Sequence, residues 1–208
     1  GFVDLGLKSR ESHVNTNHVR LSIRHDQKHT KKQFDNGLDI FLTHQSHSIK
    51  YSQYIKDAQL AVNFAAESHV DRSIINPNVF IESNVQGVNS ILQACINMNV
   101  RKFVQVSTDE VYGESMNSVD EHHKTEHSIL CPTNPYAASK AGAELIAQSY
   151  NHSFKMPIII TRGNNVYGKN QYPEKVIPKF IKLLKENQKV TIQGKGDVVR
   201  AFLHAYDT

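Results

Sequence analysis

From Leu60 onward the chain alternates short apolar runs with stretches of helical periodicity, and that alternation restricts it to an α/β fold. Leu60 to Ala66 reads as a strand. Asn76-Pro77 breaks the chain, after which Val85, Val88, Leu92 and Cys95 recur at helical spacing as far as Asn99, which predicts a crossover helix. Arg101 to Ser107 is the next strand. Asn134-Pro135 opens a helix running to about Phe154, with proline at the tolerated first position. Ile158 to Thr161 is apolar enough to be buried on both faces, as strands of a parallel sheet are. Further along, Pro178 to Glu186 reads as a helix, and Val190 to Gln193 and Ala201 to Ala205 as short strands. Upstream, Val19, Leu21 and Ile23 alternate as in a strand. The expected architecture is a doubly wound parallel sheet, whose ligands bind at the carboxyl ends of the strands.

Two motifs fall where such a sheet would use them. Ser107-Thr108-Asp109-Glu110-Val111-Tyr112-Gly113 follows the apolar run Phe103 to Val106, so Asp109 and Glu110 are delivered to the carboxyl edge. Tyr136-Ala137-Ala138-Ser139-Lys140 places a phenol and an ammonium at i and i+4 on one helix face. An ammonium there is expected to lower the phenol's pKa and make Tyr136 a usable base near neutral pH. Adjacent carboxyl groups in a dry pocket push each other's pKa values apart, which suits a division into acid and base. Taken separately, the carboxylates could be a solvated strand end and Tyr-x-x-x-Lys an ordinary helix face; their joint order and spacing favour a site.

Composition narrows the rest. The net charge of +4 comes from 24 basic and 20 acidic residues spread without a block of like charges, so nucleic-acid binding is not indicated, while an anionic small ligand fits. No apolar run reaches the ~20 residues that span a bilayer, and the amino end has no signal core. Cys95 and Cys131 are the only cysteines and do not form a CxxC pair, so a reducing cytoplasm is expected and neither a disulfide framework nor a structural metal is. The histidines His13, His18, His25, His29, His44 and His47 crowd the first quarter, but without carboxylate or thiol partners at ligand spacing; no metal is expected.

With Asn63-Phe-Ala-Ala-Glu-Ser-His-Val-Asp-Arg-Ser73, the Ser107 to Gly113 block, Pro135 to Lys140, and Tyr172-Pro-Glu-Lys175 before Ile177-Pro178, the chain resembles the nucleotide-sugar 4,6-dehydratases of the extended short-chain dehydrogenase/reductase family, and among them the dTDP-glucose enzymes. The likeness runs from Leu60 to Asp207; Thr108-Asp109-Glu110 is its discriminating part against related epimerases and decarboxylases. The resemblance implies a Rossmann-like NAD-binding domain over residues 1–165, divergent over 1–59, and the incomplete start of a sugar-nucleotide domain over 166–208. It implies bound NAD and a nucleoside diphosphate glucose as substrate, dTDP-glucose first and UDP-glucose not separable from it. In that scheme Tyr136 takes the C4 hydroxyl proton with Thr108 bonded to the same oxygen, Glu110 removes the C5 proton, and Asp109 protonates the departing C6 hydroxyl. Lys140 also holds the nicotinamide ribose. Phe64, Ala65, Ala66, Glu67, Ser83, Ser107 and Val166 would line the cofactor. Ser68, Asn165, Lys175, Val176, Thr191, Ile192, Gln193 and Arg200 would meet the sugar nucleotide. A homodimer through helices at Val79 to Asn99 and Tyr136 to Phe154 is expected on the same analogy.

The amino end departs from that pattern. Gly1-Phe2-Val3 matches the tail of a glycine-rich phosphate turn, but Asp4 stands at its last glycine position and would set a carboxylate near phosphates. By the resemblance, Asp26 after the alternating stretch corresponds to the acidic residue that holds the adenosine ribose, or else ends an edge strand before a turn, and Asp39-Ile40 corresponds to the pair flanking adenine, or else belongs to a surface loop. His69 is expected to be a satisfied structural imidazole, and Arg72 either a phosphate clamp or a surface ion pair. Ala201 replaces the acidic or amide residue that usually follows the arginine at position 200, and Gln193 an aromatic one. The alternative reading is a non-catalytic remnant acting as a binding or oligomerisation module.

Overall fold

The computed structural model describes residues 18–22, 38–41, 55, 57–113, 124–192, 194–196 and 200–208. Two compact units carry them, one with described residues from His18 to Arg162 and one from Gly163 to Thr208. In the first unit the strands are β1 (His18–Ser22), β2 (Leu38–Phe41), β3 (Leu60–Asn63), β4 (Lys102–Thr108) and β5 (Ile158–Gly163), which begins there and ends at the unit boundary.

They form one sheet in the order β2-β1-β3-β4-β5, and β1 is parallel to both β2 and β3, as β3 is to β4. The standard doubly wound order is 3-2-1-4-5-6. Among the described residues the order is that series from its second strand on, renumbered; β1 lies directly against β3 and the direction of winding reverses between them. That reversal marks the crevice where ligands of such sheets bind.

β3 stops at Asn63, short of the expected Ala66. The Asn63 side-chain oxygen accepts from the Ala65 amide at 3.1 Å, a local turn that competes with the ladder and ends the strand. The break expected at Asn76-Pro77 separates α1 (Val70–Ile75) from the crossover helix, which runs on through α2 (Pro77–Phe80), a π-helical turn (Ile81–Gln86) and α3 (Gly87–Asn97). Pro77 forces the first break because its residue lacks an amide donor. Helix α4 (Pro135–Phe154) follows the expected boundaries: Asn134 caps it by accepting from the Ala137 amide at 2.8 Å, and Lys155 at φ 56 ends it.

The core lies between α3, α4 and the sheet, with Val88, Ile91, Leu92, Phe103, Ala143 and Ala147 among its buried members. Burying a side chain such as Phe103 stabilises the fold by roughly 1.5–3 kcal/mol. The small Ala143 and Ala147 let α4 approach closely, and Tyr150 seats its hydroxyl on Asn89 at 3.0 Å. β5 is covered on one face rather than two: Ile158 and Ile160 pack on the core, while Ile159 is 48 % exposed.

The second unit holds β6 (Asn165–Tyr167) paired in parallel with β7 (Phe202–His204), and α5 (Val176–Lys185). α5 begins at Val176, two residues before Pro178, which is tolerated because first-turn amides have no partner within the helix. The strand expected at Val190 to Gln193 does not form over residues 190–192, and Gln193 lies outside the described residues.

Candidate active site

The site is built at the carboxyl end of β4. Thr108 is extended and caps a 3₁₀ turn (Asp109–Tyr112), its hydroxyl oxygen accepting from the Glu110 amide at 3.3 Å and its hydroxyl donating to Asp109 Oδ1 at 3.2 Å. Gly113 closes the turn at φ 54. A Cβ there would sit 1.8 Å from the Cys131 carbonyl oxygen, so both the backbone angle and the space require glycine. Asn134 joins this turn to α4: while one end of its amide caps the helix, Nδ2 donates to Glu110 Oε2 at 3.4 Å.

Tyr136 and Lys140 sit in the first turns of α4, on the face that meets β4. The Tyr136 phenol lies in the field of Glu110 and Asp109 and shares a hydrogen bond with Thr108. The structure therefore brings together the five residues expected to carry chemistry: Thr108, Asp109, Glu110, Tyr136 and Lys140. It corrects their electrostatics. The phenol pKa is pushed up, by burial first and then by Glu110, against the smaller lowering from Thr108, so the expected lowering by Lys140 is not the resting arrangement. Lys140 is 4 % exposed, donates to the Val106 carbonyl at 2.7 Å, and is held at about 8 by desolvation, with Glu144 pulling the other way.

The cofactor-side residues gather after β3. Ala65 is 2 % exposed and Glu67 4 %, with Phe64, Ala66 and Ser68 partly buried beside them. Arg72 is settled as an ion pair with Glu67, Nη2 to Oε2 at 3.2 Å. His69 is not a satisfied imidazole: its Nδ1 is buried without a hydrogen-bond partner. Ser107 Oγ is likewise buried and unpartnered, at the strand end where a nucleotide would lie. That orphaned hydroxyl and the small residues after β3 fit the ribose and nicotinamide end of NAD.

Ser83 is buried in the π-helical turn, a feature often found at functional sites. Next to it is a residue that sequence reasoning missed. Asn84 Oδ1 accepts from the Glu67 amide at 2.7 Å, and its Nδ2 donates to the Glu67 carbonyl at 3.0 Å and to Ser139 Oγ at 2.8 Å. It ties the loop after β3 to the helix carrying Tyr136 and Lys140. Asn63 and Gln105 were also missed: they bond side chain to side chain at 2.9 Å across β3 and β4, both fully buried. A polar residue inside an otherwise apolar strand was the available signal in each case.

Of the remaining expectations, Asp39 lies on β2, in register with Arg20 on β1. Asp26, Gly1, Asp4 and Gln193 fall outside the described residues. Asn165, Val166, Lys175, Val176, Thr191, Ile192 and Arg200 belong to the second unit. There Val166 accepts from Gln171 Nε2 at 2.9 Å, Lys175 precedes α5, and Val176, Thr191, Ile192 and Arg200 are exposed. Among the described residues no cluster of histidine, cysteine, aspartate and glutamate could hold a metal, and no helix is long and apolar enough to cross a membrane.

Comparison with known proteins places this geometry. A dTDP-D-glucose 4,6-dehydratase from Dictyostelium discoideum is 49 % identical over 156 residues, covering 71 % of this chain and 36 % of that protein. A trifunctional UDP-glucose 4,6-dehydratase/UDP-4-keto-6-deoxy-D-glucose 3,5-epimerase/UDP-4-keto-L-rhamnose-reductase from Arabidopsis thaliana is 45 % identical over 162 residues, covering 76 % of this chain and 24 % of that one. The solved structure of dTDP-glucose 4,6-dehydratase from Streptomyces venezuelae with NAD and TYD bound superposes with a TM-score of 0.76 at 40 % identity, covering 84 % of this chain and 52 % of that one. The chain thus spans about half or less of the length of these relatives. The fold is the Rossmann-like fold of these dehydratases. Residues 6–208 match the NAD dependent epimerase/dehydratase family, and the chain belongs to it.

Proposed function

We propose that this chain carries the catalytic half-site of an NAD-dependent nucleotide-sugar 4,6-dehydratase, acting on dTDP-glucose. The observation that carries the reading is the convergence of an Asp-Glu turn, a threonine hydroxyl and a Tyr-Lys helix face at one strand end. Hydride return without elimination, as in an epimerase, calls on the last two of these and leaves the Asp-Glu pair without a role.

Phe64, Ala65, Ala66, Glu67, Ser83, Ser107, Lys140 and Val166 would hold NAD, with Asp26 and Asp39 at the adenosine end. Bound NAD would supply the hydride acceptor for oxidation at C4 and the hydride donor for reduction at C6. The chain's own residues handle protons. Tyr136 takes the C4 hydroxyl proton, with Thr108 fixing the same oxygen and opposing the upward push on the phenol, while Lys140 holds the nicotinamide ribose. The C4 ketone acidifies C5; Glu110, aimed by Asn134, removes that proton, and Asp109 gives one to the leaving C6 hydroxyl. C5 regains a proton as C6 is reduced, so the products are one 4-keto-6-deoxy sugar nucleotide and one water with no net oxidation. Ser68, Asn165, Lys175, Val176, Thr191, Ile192, Gln193 and Arg200 are the proposed sugar-nucleotide contacts, Arg200 as a bidentate phosphate partner.

We place the domain boundary near residue 165. We place the protein in the cytoplasm, which suits its two free thiols, Cys95 and Cys131. A second copy would pair through the helices at Val79 to Asn99 and Tyr136 to Phe154, where Ile81, Leu145 and Phe154 are 45 %, 58 % and 53 % exposed. A monomeric mass by light scattering at micromolar concentration would remove that pairing.

The deciding experiment is nucleotide analysis of the purified chain followed by assay for 4-keto-6-deoxy product from dTDP-glucose. Bound NAD with product supports the dehydratase. Neither nucleotide nor product, with NAD added, leaves a remnant that keeps only the fold.

A further inference from the structure

A charged cluster that takes no part in the proton transfers above lies behind them. Glu144 is fully buried on α4, one turn beyond Lys140 on the same face. Arg162, on β5 and 14 % exposed, donates from Nε to Glu144 Oε1 and Oε2 at 3.2 and 3.0 Å, and from Nη2 to Oε2 at 2.7 Å. Its Nη1 donates to the Tyr112 hydroxyl at 2.8 Å and to the Glu126 carbonyl at 3.1 Å, and its guanidinium carbon lies 4.9 Å from the Tyr112 ring centre.

One rigid fork therefore holds two elements. Tyr112 is the last residue of the turn that begins with Asp109 and Glu110, and Glu144 belongs to the helix that presents Tyr136 and Lys140. An apolar core of the same volume would stabilise at least as well as a buried ion pair, so stability alone does not account for this arrangement. Geometry does: the planar guanidinium fixes angle as well as distance on both partners. Arg162 also occupies both Glu144 oxygens, which leaves the Lys140 ammonium directed to the Val106 carbonyl instead of to the carboxylate one turn away.

We propose that Arg162 is a positioning residue, which through Tyr112 and Glu144 sets the Asp109-Glu110 turn against the Tyr136-Lys140 helix face. The inference rests on the roles given to those four residues above. Its test separates the two arms of the fork. In the full chain, Tyr112→Phe keeps the ring but removes the hydroxyl, and Arg162→Lys keeps the charge but removes the fork.

Residue-resolved hydrogen exchange reports on the turn through the amides of Glu110, Gly113 and Cys131, which bond to Thr108, Glu110 and Val111. With Tyr112→Phe these amides should exchange about tenfold faster or more, as expected for one lost hydrogen bond to a charged group, while α4 amides from Lys140 to Glu144 and those of β3 stay unchanged. With Arg162→Lys both turn and helix amides should speed up and β3 should not. On the NAD-loaded chain, turnover of dTDP-glucose should fall about 10- to 100-fold in kcat with KM unchanged. If turn and helix respond together in both variants, or neither responds in either, Arg162 is only a structural staple and the proposal is wrong. If the unsubstituted chain turns over no dTDP-glucose, the dehydratase reading is lost, and the exchange pattern still decides the clamp.

Discussion

Between Leu60 and Arg162 a set of polar side chains is buried and bonded across neighbouring elements, whereas from Gly163 to Thr208 the described polar residues stand on short elements with open faces. Asn63, Gln105, Asn84, Lys140 and Glu144 are all nearly inaccessible, and each bonds a neighbouring element through its side chain, Asn63, Asn84 and Lys140 as donors and Gln105 and Glu144 as acceptors. In the second unit Ala205 is the buried apolar residue among those described, no residue of α5 is buried, and Ile181 and Leu184 are 50 % and 62 % exposed. The difference teaches where geometry is set in advance. A buried hydrogen-bonded side chain has one arrangement because any other leaves an unpaired group in low dielectric. An exposed one exchanges partners with water at little cost. Thr108 and Lys140 sit in the first kind of environment, with the proposed proton-transfer groups Asp109, Glu110 and Tyr136 half-buried beside them, and the expected sugar-nucleotide contacts Val176, Thr191, Ile192 and Arg200 sit in the second.

The largest effect that would break this contrast is chemical. Glu110→Gln should lower product formation from dTDP-glucose about 100- to 10,000-fold in the loaded chain, the usual worth of a positioned general base. Unchanged turnover would mean that elimination does not pass through Glu110. Next comes the buried ion pair. Arg162→Met strips Glu144 of the hydrogen-bonded partner of its buried carboxylate and should cost about 3–5 kcal/mol of unfolding free energy by denaturant titration. A loss below about 1 kcal/mol would show that the first region is no more tightly specified than a surface, where that is the ordinary worth of an ion pair.

Lys140 gives a sign that can be checked against pH. Its ammonium is held at about 8 against an ordinary 10.5, mainly by burial. Between those values the folded chain has released a proton that the unfolded chain keeps, so this group's stability is present above the unfolded pKa and is lost as pH falls through the folded one. Lys140→Met should therefore raise stability at neutral pH by up to about 3 kcal/mol, with the advantage shrinking as pH approaches 10.5. The Cys95 thiol, pushed up to about 12 by burial, is common to both proteins and cancels in the difference. An advantage that grew with pH would overturn the assignment. The smallest expected effect belongs to the open region: Ile181→Ser on α5 should change unfolding free energy by no more than about 0.5 kcal/mol.

Periodicity and punctuation carried the architecture. Asn134-Pro135 and the run to Phe154 specify α4 because cap chemistry and helical spacing are local, and the apolar run before Ser107 specifies β4 for the same reason. The order and spacing of Asp109-Glu110 and Tyr136-Lys140 also made the candidate site readable, since i and i+4 on one helix must share a face. The sequence disclosed the break at Asn76-Pro77 but not that the helix after it would carry a π-helical turn, or that Asn63 would end β3 through its own side chain. Both depend on which hydrogen bonds win locally, and propensity does not rank those.

The residues of this chain by themselves determined the α/β class, the place of α4 and β4, and the spacing of Asp109-Glu110 and Tyr136-Lys140 from which the proposed site is built, because each is written in contacts between near neighbours. Only the tertiary structure decided that β1 lies against β3, that Asn84 ties Glu67 to Ser139, that Arg162 spans Glu144 and Tyr112, and that Tyr136 rests with its pKa raised rather than lowered. Burial and electrostatic field are sums over atoms brought together from distant parts of the chain, and no local pattern contains that sum.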